Sequence, residues 1–109
     1  MEREIPSISL DSQFDALRHV ARRRVLFELL AATADDDLPV RMDEIERTAA
    51  ERPFQVSMRH VHLPKLEENG LVDSSGSVDA VTTGPRFDEI RPLLELLDEN
   101  RDRLPNDWE

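Results

Sequence analysis

Apolar residues recur three or four positions apart in two stretches near the start of the chain. The first stretch is Phe14, Leu17, Val20 and Ala21, and the second is Val25, Leu26, Leu29 and Leu30. This spacing is typical of amphipathic helices, whose apolar side faces a core. The pattern is equally compatible with one helix over residues 14–32 and with two helices that meet at a bend near residues 20–22.

The middle of the chain predicts a short strand and two further helices. The apolar run 38–40 is brief and contains Pro39, so it predicts at most an edge strand. A third helix is predicted over residues 43–51, and it ends before Pro53 because proline disfavours helix in the residue that precedes it. A fourth helix is predicted over about 54–69, with Gly70 as its stop, since glycine adopts a left-handed backbone most easily.

After Gly70 the pattern changes from helical to alternating. Residues 71–73 and 78–82 flank a Ser-Ser-Gly-Ser turn and predict a hairpin. A last helix is predicted over about 86–104, with Pro92 early enough to kink it rather than end it. Helices followed by a hairpin predict a mainly α fold with a small β-hairpin (α+β). We interpret this order as a winged helix-turn-helix over residues 10–82, within a single domain of residues 1–109.

Composition excludes several classes of protein. The 109 residues include no cysteine, which rules out disulfides, thiolate zinc sites and cysteine nucleophiles. The sequence holds no apolar stretch near the roughly 18 residues that cross a membrane. Its first residues, MEREIPS, lack the basic start and apolar run of a signal peptide. We therefore expect a cytoplasmic protein without a membrane partner.

A longer stretch of the sequence resembles a known family. Residues 60–72 read His-Val-His-Leu-Pro-Lys-Leu-Glu-Glu-Asn-Gly-Leu-Val. They resemble the second helix and wing entry of ArsR-type winged-helix regulators, whose pattern is roughly His-Leu-x-x-Leu-x-x-x-Gly-Leu-Val. They are closer to small haloarchaeal winged-helix proteins that carry His-x-His-Leu-Pro-Lys-Leu at this place, and the Arg-Arg-Arg run 22–24 before an apolar helix is similar to the same group. The resemblance covers about residues 10–82 and implies a transcriptional regulator that binds double-stranded DNA.

The resemblance also implies which residues contact DNA. The second helix of a helix-turn-helix lies in the major groove, and residues near its N-terminus reach base edges. Here that helix is 54–69, and its base-facing candidates are Gln55, Ser57, Arg59, His60 and Val61. Phosphate contacts fix the register of such a helix, and the candidates for them are Arg41, Arg52 and Lys65.

Helical periodicity supports this assignment only in part. If Leu63 and Leu66 face the core, then His60 and Val61 point outward while Arg59 turns partly inward. A kink at Pro64 would re-aim the first half of the helix. The alternative is a winged-helix module that binds another protein through this face and has lost contact with DNA.

The charge of the chain bears on the same question. The net charge is −10, and 13 of the 14 basic residues are arginine, which is typical of proteins from extreme halophiles. Residues 1–33 carry no net charge, residues 34–65 carry −2 and residues 66–109 carry −8. The acidic excess therefore lies in the hairpin and last helix, and the predicted DNA-binding half is close to neutral.

Other polar clusters have less specific interpretations. His60 and His62 are two positions apart and would point to different faces of a helix, so we expect no metal site and a packed, hydrogen-bonded His62. The arginines 22–24 either touch phosphate or pair with nearby acids, and Asp35–Asp37 predict a solvated loop. The sequence holds no Ser-His-Asp spacing, glycine-rich phosphate loop or histidine-rich metal motif. We expect neither enzymatic activity nor a cofactor.

The last helix carries a wide apolar stripe, namely Phe87, Ile90, Leu93, Leu94 and Leu97. One small domain offers limited surface to cover so much leucine. We therefore predict a two-fold homodimer through this helix, with Phe14 and Leu17 at its edge. A two-fold dimer would match the pseudo-palindromic sites that helix-turn-helix proteins bind.

Overall fold

Two separate helices begin the described chain. The computed structural model describes residues 8–47, 61–74, 80–105 and 108. Helix α1 covers Leu10–Leu17 and helix α2 covers Val20–Ala34. The hydroxyl of Ser9 accepts a hydrogen bond from the backbone N–H of Ser12 at 3.1 Å, which caps the first turn of α1. The break falls at His19, whose backbone is extended (φ −115°, ψ 136°), so the two-helix alternative is confirmed.

The later elements follow the predicted order. Strand β1 (Val40–Arg41) leads directly into helix α3 (Met42–Arg47), and helix α4 (Leu63–Glu68) precedes strand β2 (Val72–Asp73). Strand β3 (Ala80–Thr83) precedes helix α5 (Phe87–Glu99), which a short 3₁₀ turn, Arg101–Arg103, extends. The remainder of the predicted third and fourth helices, residues 48–60, lies outside the described residues.

A three-stranded antiparallel sheet joins the two halves of the chain. Its order is β1-β3-β2, with Val40 opposite Val81 and Val72 opposite Thr83. The strands β2 and β3 form the predicted hairpin, and β1 is the predicted edge strand. The protein is therefore an α+β structure of helices and one small sheet.

One core lies between α2, the sheet and the later helices. The most deeply buried apolar side chains come from every one of these elements: Val25, Leu26, Leu29, Met42, Ile45, Leu66, Leu71, Val81, Phe87, Ile90 and Leu94. Full burial of one such side chain contributes about 1.5–3 kcal/mol. Short elements such as α4 are thus stabilised by packing rather than by their own length.

Two glycines allow the end of α4 to approach the start of α5. Gly70 has φ +76°, the left-handed conformation predicted for a helix stop. A Cβ atom on Gly84 would lie 2.4 Å from the carbonyl oxygen of Gly70. That same oxygen accepts a hydrogen bond from the N–H of Arg86 at 2.8 Å. The hairpin base and both helices are therefore joined through close backbone contacts.

Part of the predicted dimer interface belongs to the core of the protomer. Phe87, Ile90 and Leu94 are 2%, 0% and 0% exposed. The prediction that these three contact a second protomer is wrong, because they are buried within the same chain, where their helix packs against α2. Leu93 and Leu97 lie at the edge of the core and remain half-buried. Within the described segments, no helix has the length and apolar character of a membrane span.

Candidate nucleic-acid interface

Helix α4 has one face in the core and one face in solvent. His62, Leu63 and Leu66 are buried. A wider π-type turn at residues 61–62 leads into the helix. The exposed side chains follow the helical period: Val61, Pro64, Lys65 and Glu68. The prediction that Leu63 and Leu66 point inward and Val61 outward is confirmed.

Few of the predicted DNA contacts fall within the described structure. Val61 is 53% exposed, and Lys65 is exposed one turn further along the same face. The predicted contacts Gln55, Ser57, Arg59, His60 and Arg52 lie outside the described residues.

Arg41 lies on the edge strand of the sheet. Its guanidinium faces Asp43 in a two-pronged ion pair, with Nε–Oδ1 at 3.1 Å and Nη2–Oδ2 at 2.9 Å. Both side chains are more than half exposed. Exposed ion pairs contribute little to stability, so an approaching phosphate can compete with Asp43 for this guanidinium. Of the predicted phosphate contacts, Arg41 and Lys65 lie within the described residues, and both are exposed.

The hairpin is fixed to α4 by one carboxylate. Oε2 of Glu67 accepts hydrogen bonds from the backbone N–H of Ser74, at 3.0 Å, and from its hydroxyl, at 2.5 Å. Ser74 follows β2 directly, where the hairpin turn starts. The orientation of the hairpin is therefore coupled to the orientation of the helix that we interpret as the reading helix.

A polar cluster around the buried side chains of Arg22 and His62 joins the start of α4 to the junction of α1 and α2. Nε–H of Arg22 donates to Nδ1 of His62 at 3.2 Å, and Nη1–H of Arg22 donates to the carbonyl oxygen of Asp15 at 2.8 Å. The rings of His19 and His62 lie 4.1 Å apart between their centroids. Nη1 of Arg22 is also paired with the carboxylate of Asp15 at 3.3 Å, so Arg22 pairs with an acid, and the packed, hydrogen-bonded His62 is confirmed.

The surroundings of His62 favour its neutral form. Burial lowers the pKa of His62 below 6.5, and the nearby charges of His19 and Arg22 lower it further. The hydrogen bond agrees with this direction, because a guanidinium only donates and Nδ1 must then carry no proton. The sequence does not predict this cluster, because its members are up to 47 positions apart. Arg22 is also indistinguishable by sequence from the two arginines that follow it.

A second feature is an apolar groove between α1 and α5, with a volume of about 460 Å³. Phe14 and Leu17 line one side, Leu93 and Leu97 line the other, and Trp108 lies among them. The ring of Trp108 packs edge-on against Phe27, with 4.7 Å between centroids. The backbone carbonyl of Trp108 accepts a hydrogen bond from Nε–H of Arg23 at 2.6 Å. Nothing in the sequence pattern around Trp108 predicted this docking.

The acidic residues after α2 and the candidate metal ligands are the remaining predicted clusters. Asp35, Asp36 and Asp37 are all exposed, as a solvated loop requires. Among the described residues, no group of three or more histidines, aspartates or glutamates is arranged to hold a metal ion.

Comparison with known proteins adds no relative. No protein-family model, curated protein or solved structure matches this chain. The case for a function therefore depends on the residues described above.

Proposed function

We propose that the protein is a winged helix-turn-helix regulator that binds double-stranded DNA as a homodimer. The observation that carries this proposal is the packing of α4 beside the hairpin. The helix is held by Leu63 and Leu66 on its inner side, while Val61 and Lys65 remain exposed on its outer side. The Glu67–Ser74 hydrogen bonds keep the hairpin next to it. A reading helix and a wing need this arrangement, because both must meet the duplex together.

The sheet supports the same fold. Here β1 pairs with β3, and β3 pairs with β2. The order of helices and strands along the chain is also compatible with that fold.

The dimer would use the groove between α1 and α5 rather than the buried stripe of α5. Phe14 is 53% exposed, and Leu96 on α5 is 57% exposed. The charges around the groove are asymmetric, since Arg18 and Arg23 line it while the exposed side of α5 carries Glu95 and Glu99. A second copy turned by a two-fold axis would place the basic edge of one protomer against the acidic edge of the other.

DNA binding can be tested on Lys65, with Arg91 on α5 as a matched control. Both Lys65→Gln and Arg91→Gln remove one positive charge, so any effect of net charge alone is equal. We expect Lys65→Gln to weaken binding to all duplex sequences and to reduce the salt slope of the binding constant by about 1. Arg91→Gln should leave both unchanged. The measurement is fluorescence anisotropy with duplexes selected from a random-sequence pool, over a range of salt concentrations.

A second candidate function is favoured by the composition of the exposed face of α4. Its side chains are Val61, Pro64, Lys65 and Glu68, with one positive charge balanced by one negative charge. A face of this kind suits a protein partner better than a phosphate backbone. If no duplex from the random pool is retained, the protein-binding module replaces the DNA-binding regulator. Equal effects of Lys65→Gln and Arg91→Gln would also count against the assigned interface.

A further inference from the structure

The cluster of Asp15, Arg22, His19 and His62 lies behind the proposed DNA-binding face. Arg22 and His62 are 6% and 5% exposed, so neither side chain is available to DNA. Burial of a charged arginine is costly unless its donors are satisfied. Here the donors reach Asp15 on α1 and His62 at the start of α4. The cluster therefore connects three helices through one guanidinium.

The connection depends on the protonation of one nitrogen. In the structure Nδ1 of His62 accepts a hydrogen bond from Nε–H of Arg22 at 3.2 Å. A proton taken up from solvent at Nδ1 would turn this acceptor into a donor that faces another donor. It would also place a positive charge beside the guanidinium and beside the ring of His19. The hydrogen bond and the favourable packing would be lost together.

The charged groups around His62 offer little compensation. Arg22 faces it from α2, and His19 faces it from the residue before α2. Asp15 of α1 is bound to Nη1 of Arg22 and is also paired with Arg18 at 3.3 Å. In the described part of the cluster, the single carboxylate is therefore already shared between two arginines.

We propose that His62 is a positioning residue for α4, and that its protonation releases the start of this helix from α2. His62 immediately precedes α4, and Val61 before it is one of the predicted base contacts. A shift of His62 thus moves the exposed residues of the same turn. On the proposed function, on which this consequence rests, acidification lowers the affinity for DNA. Independently of any function, acidification loosens the packing of α4 against α2.

Hydrogen exchange of the full-length protein tests the release directly. The backbone amides of residues 65–68 are compared at about pH 7.5 and about pH 4.5, after correction for intrinsic exchange. The lower value is set well below an ordinary histidine pKa because the pKa of His62 is lowered. We expect their protection to fall about tenfold at the lower pH, the size of effect that follows from losing one charge-assisted hydrogen bond. Amides in the middle of α2 provide the internal reference. Equal protection of α4 at both pH values would overturn the proposal.

Two variants separate the roles of the histidines. In His62→Gln the amide oxygen still accepts from Arg22 but does not titrate, so the pH dependence of α4 should disappear. In His19→Gln the dependence should remain with its midpoint at higher pH, because one charge that opposes protonation of His62 is removed. A pH dependence that persists in His62→Gln would assign it to another group and contradict the proposal.

A measurement on the wild-type protein covers the case in which His62→Gln does not fold. Nitrogen-15 spectra of the histidine rings distinguish the two neutral tautomers and the charged form. We expect His62 to carry its proton on Nε2 at neutral pH and to become charged over the pH range in which α4 loosens. A proton on Nδ1 at neutral pH would overturn the proposal.

Binding to duplexes from a random-sequence pool, over the same pH range, separates this inference from the proposed function. If α4 loosens with acid while no duplex is bound at any pH, the positioning role stands and the DNA-binding function fails. If duplexes are bound with the same affinity at both pH values, His62 has no part in regulating binding.

Discussion

Replacement of Leu94 by alanine tests whether α5 belongs to the core of the protomer. Leu94 is 0% exposed. The change removes three carbon atoms, and at about 0.8 kcal/mol for each buried CH₂ group the transfer contribution is about 2.4 kcal/mol. The cavity that remains adds to this cost, so we expect a total loss of about 3–4 kcal/mol in the free energy of unfolding. Domains are typically stable by about 5–15 kcal/mol, so the variant should still fold.

Urea unfolding at constant salt, repeated over a tenfold range of protein concentration, measures this loss. A core position should show the same difference from wild type at every concentration, because the lost contacts are within one chain. A dimer contact should show a difference that shrinks on dilution, when wild-type dimers dissociate as well. Leu10→Ala, at a leucine that is 58% exposed and does not line the groove, is the matched control and should cost no more than about 0.5 kcal/mol at every concentration. A loss below 1 kcal/mol for Leu94→Ala, or an equal loss for both variants, would refute the reasoning.

Three other outcomes are expected. Gly84→Ala should destabilise more than Gly70→Ala in urea unfolding. The former places a Cβ atom 2.4 Å from the Gly70 carbonyl oxygen, whereas the latter costs only the roughly 1–2 kcal/mol of a left-handed backbone; the reverse order would contradict the close approach. Because the pKa of His62 is lowered in the folded protein, the contribution of this residue to stability is greatest above pH 6.5, falls as the pH drops through 6.5 and levels off below the folded-state pKa. His62→Gln should remove this part of the pH dependence in thermal unfolding. Phe14→Glu should dissociate the proposed dimer in sedimentation equilibrium while Ala34→Glu, an exposed position outside the groove, should not, and equal dissociation would reject the groove as the interface.

Periodicity predicted the positions at which local sequence and tertiary packing agree. Leu63 and Leu66 point inward, and Gly70 ends the helix in a left-handed conformation. Both features follow from patterns within a few residues of one another. The strand pairing of β1 with β3 joins positions 39 and 41 residues apart, and no local pattern determines it.

Helical periodicity was misleading for the last helix, because it identifies an apolar face but not the surface that packs against that face. Phe87 and Ile90 belong to a stripe that equally suits a dimer and a core, and packing against the rest of the chain decides for the core. Arg22 shows the opposite case. It looked identical to the other two arginines of its run, and burial against His62 distinguishes it. In both cases, contacts between side chains that are distant in sequence determine which residues are buried.

The charge distribution limits how strongly DNA would be bound. The net negative charge is concentrated after residue 65, where acidic residues far outnumber basic ones, and the exposed part of α4 is close to neutral. Phosphate attraction in such a protein would rest on a few arginines and would weaken further with salt. Specific contacts to bases would then have to supply a large share of the affinity.

Genome-wide mapping of the sites bound by the protein, carried out in the source organism at its native salt, tests the central claim most directly. The regulator predicts a limited set of enriched sites that share a pseudo-palindromic sequence, and it predicts that a variant with Arg59 and His60 changed to alanine folds normally but loses them. Absence of enriched sites for the wild-type protein would contradict DNA recognition and favour the protein-binding module.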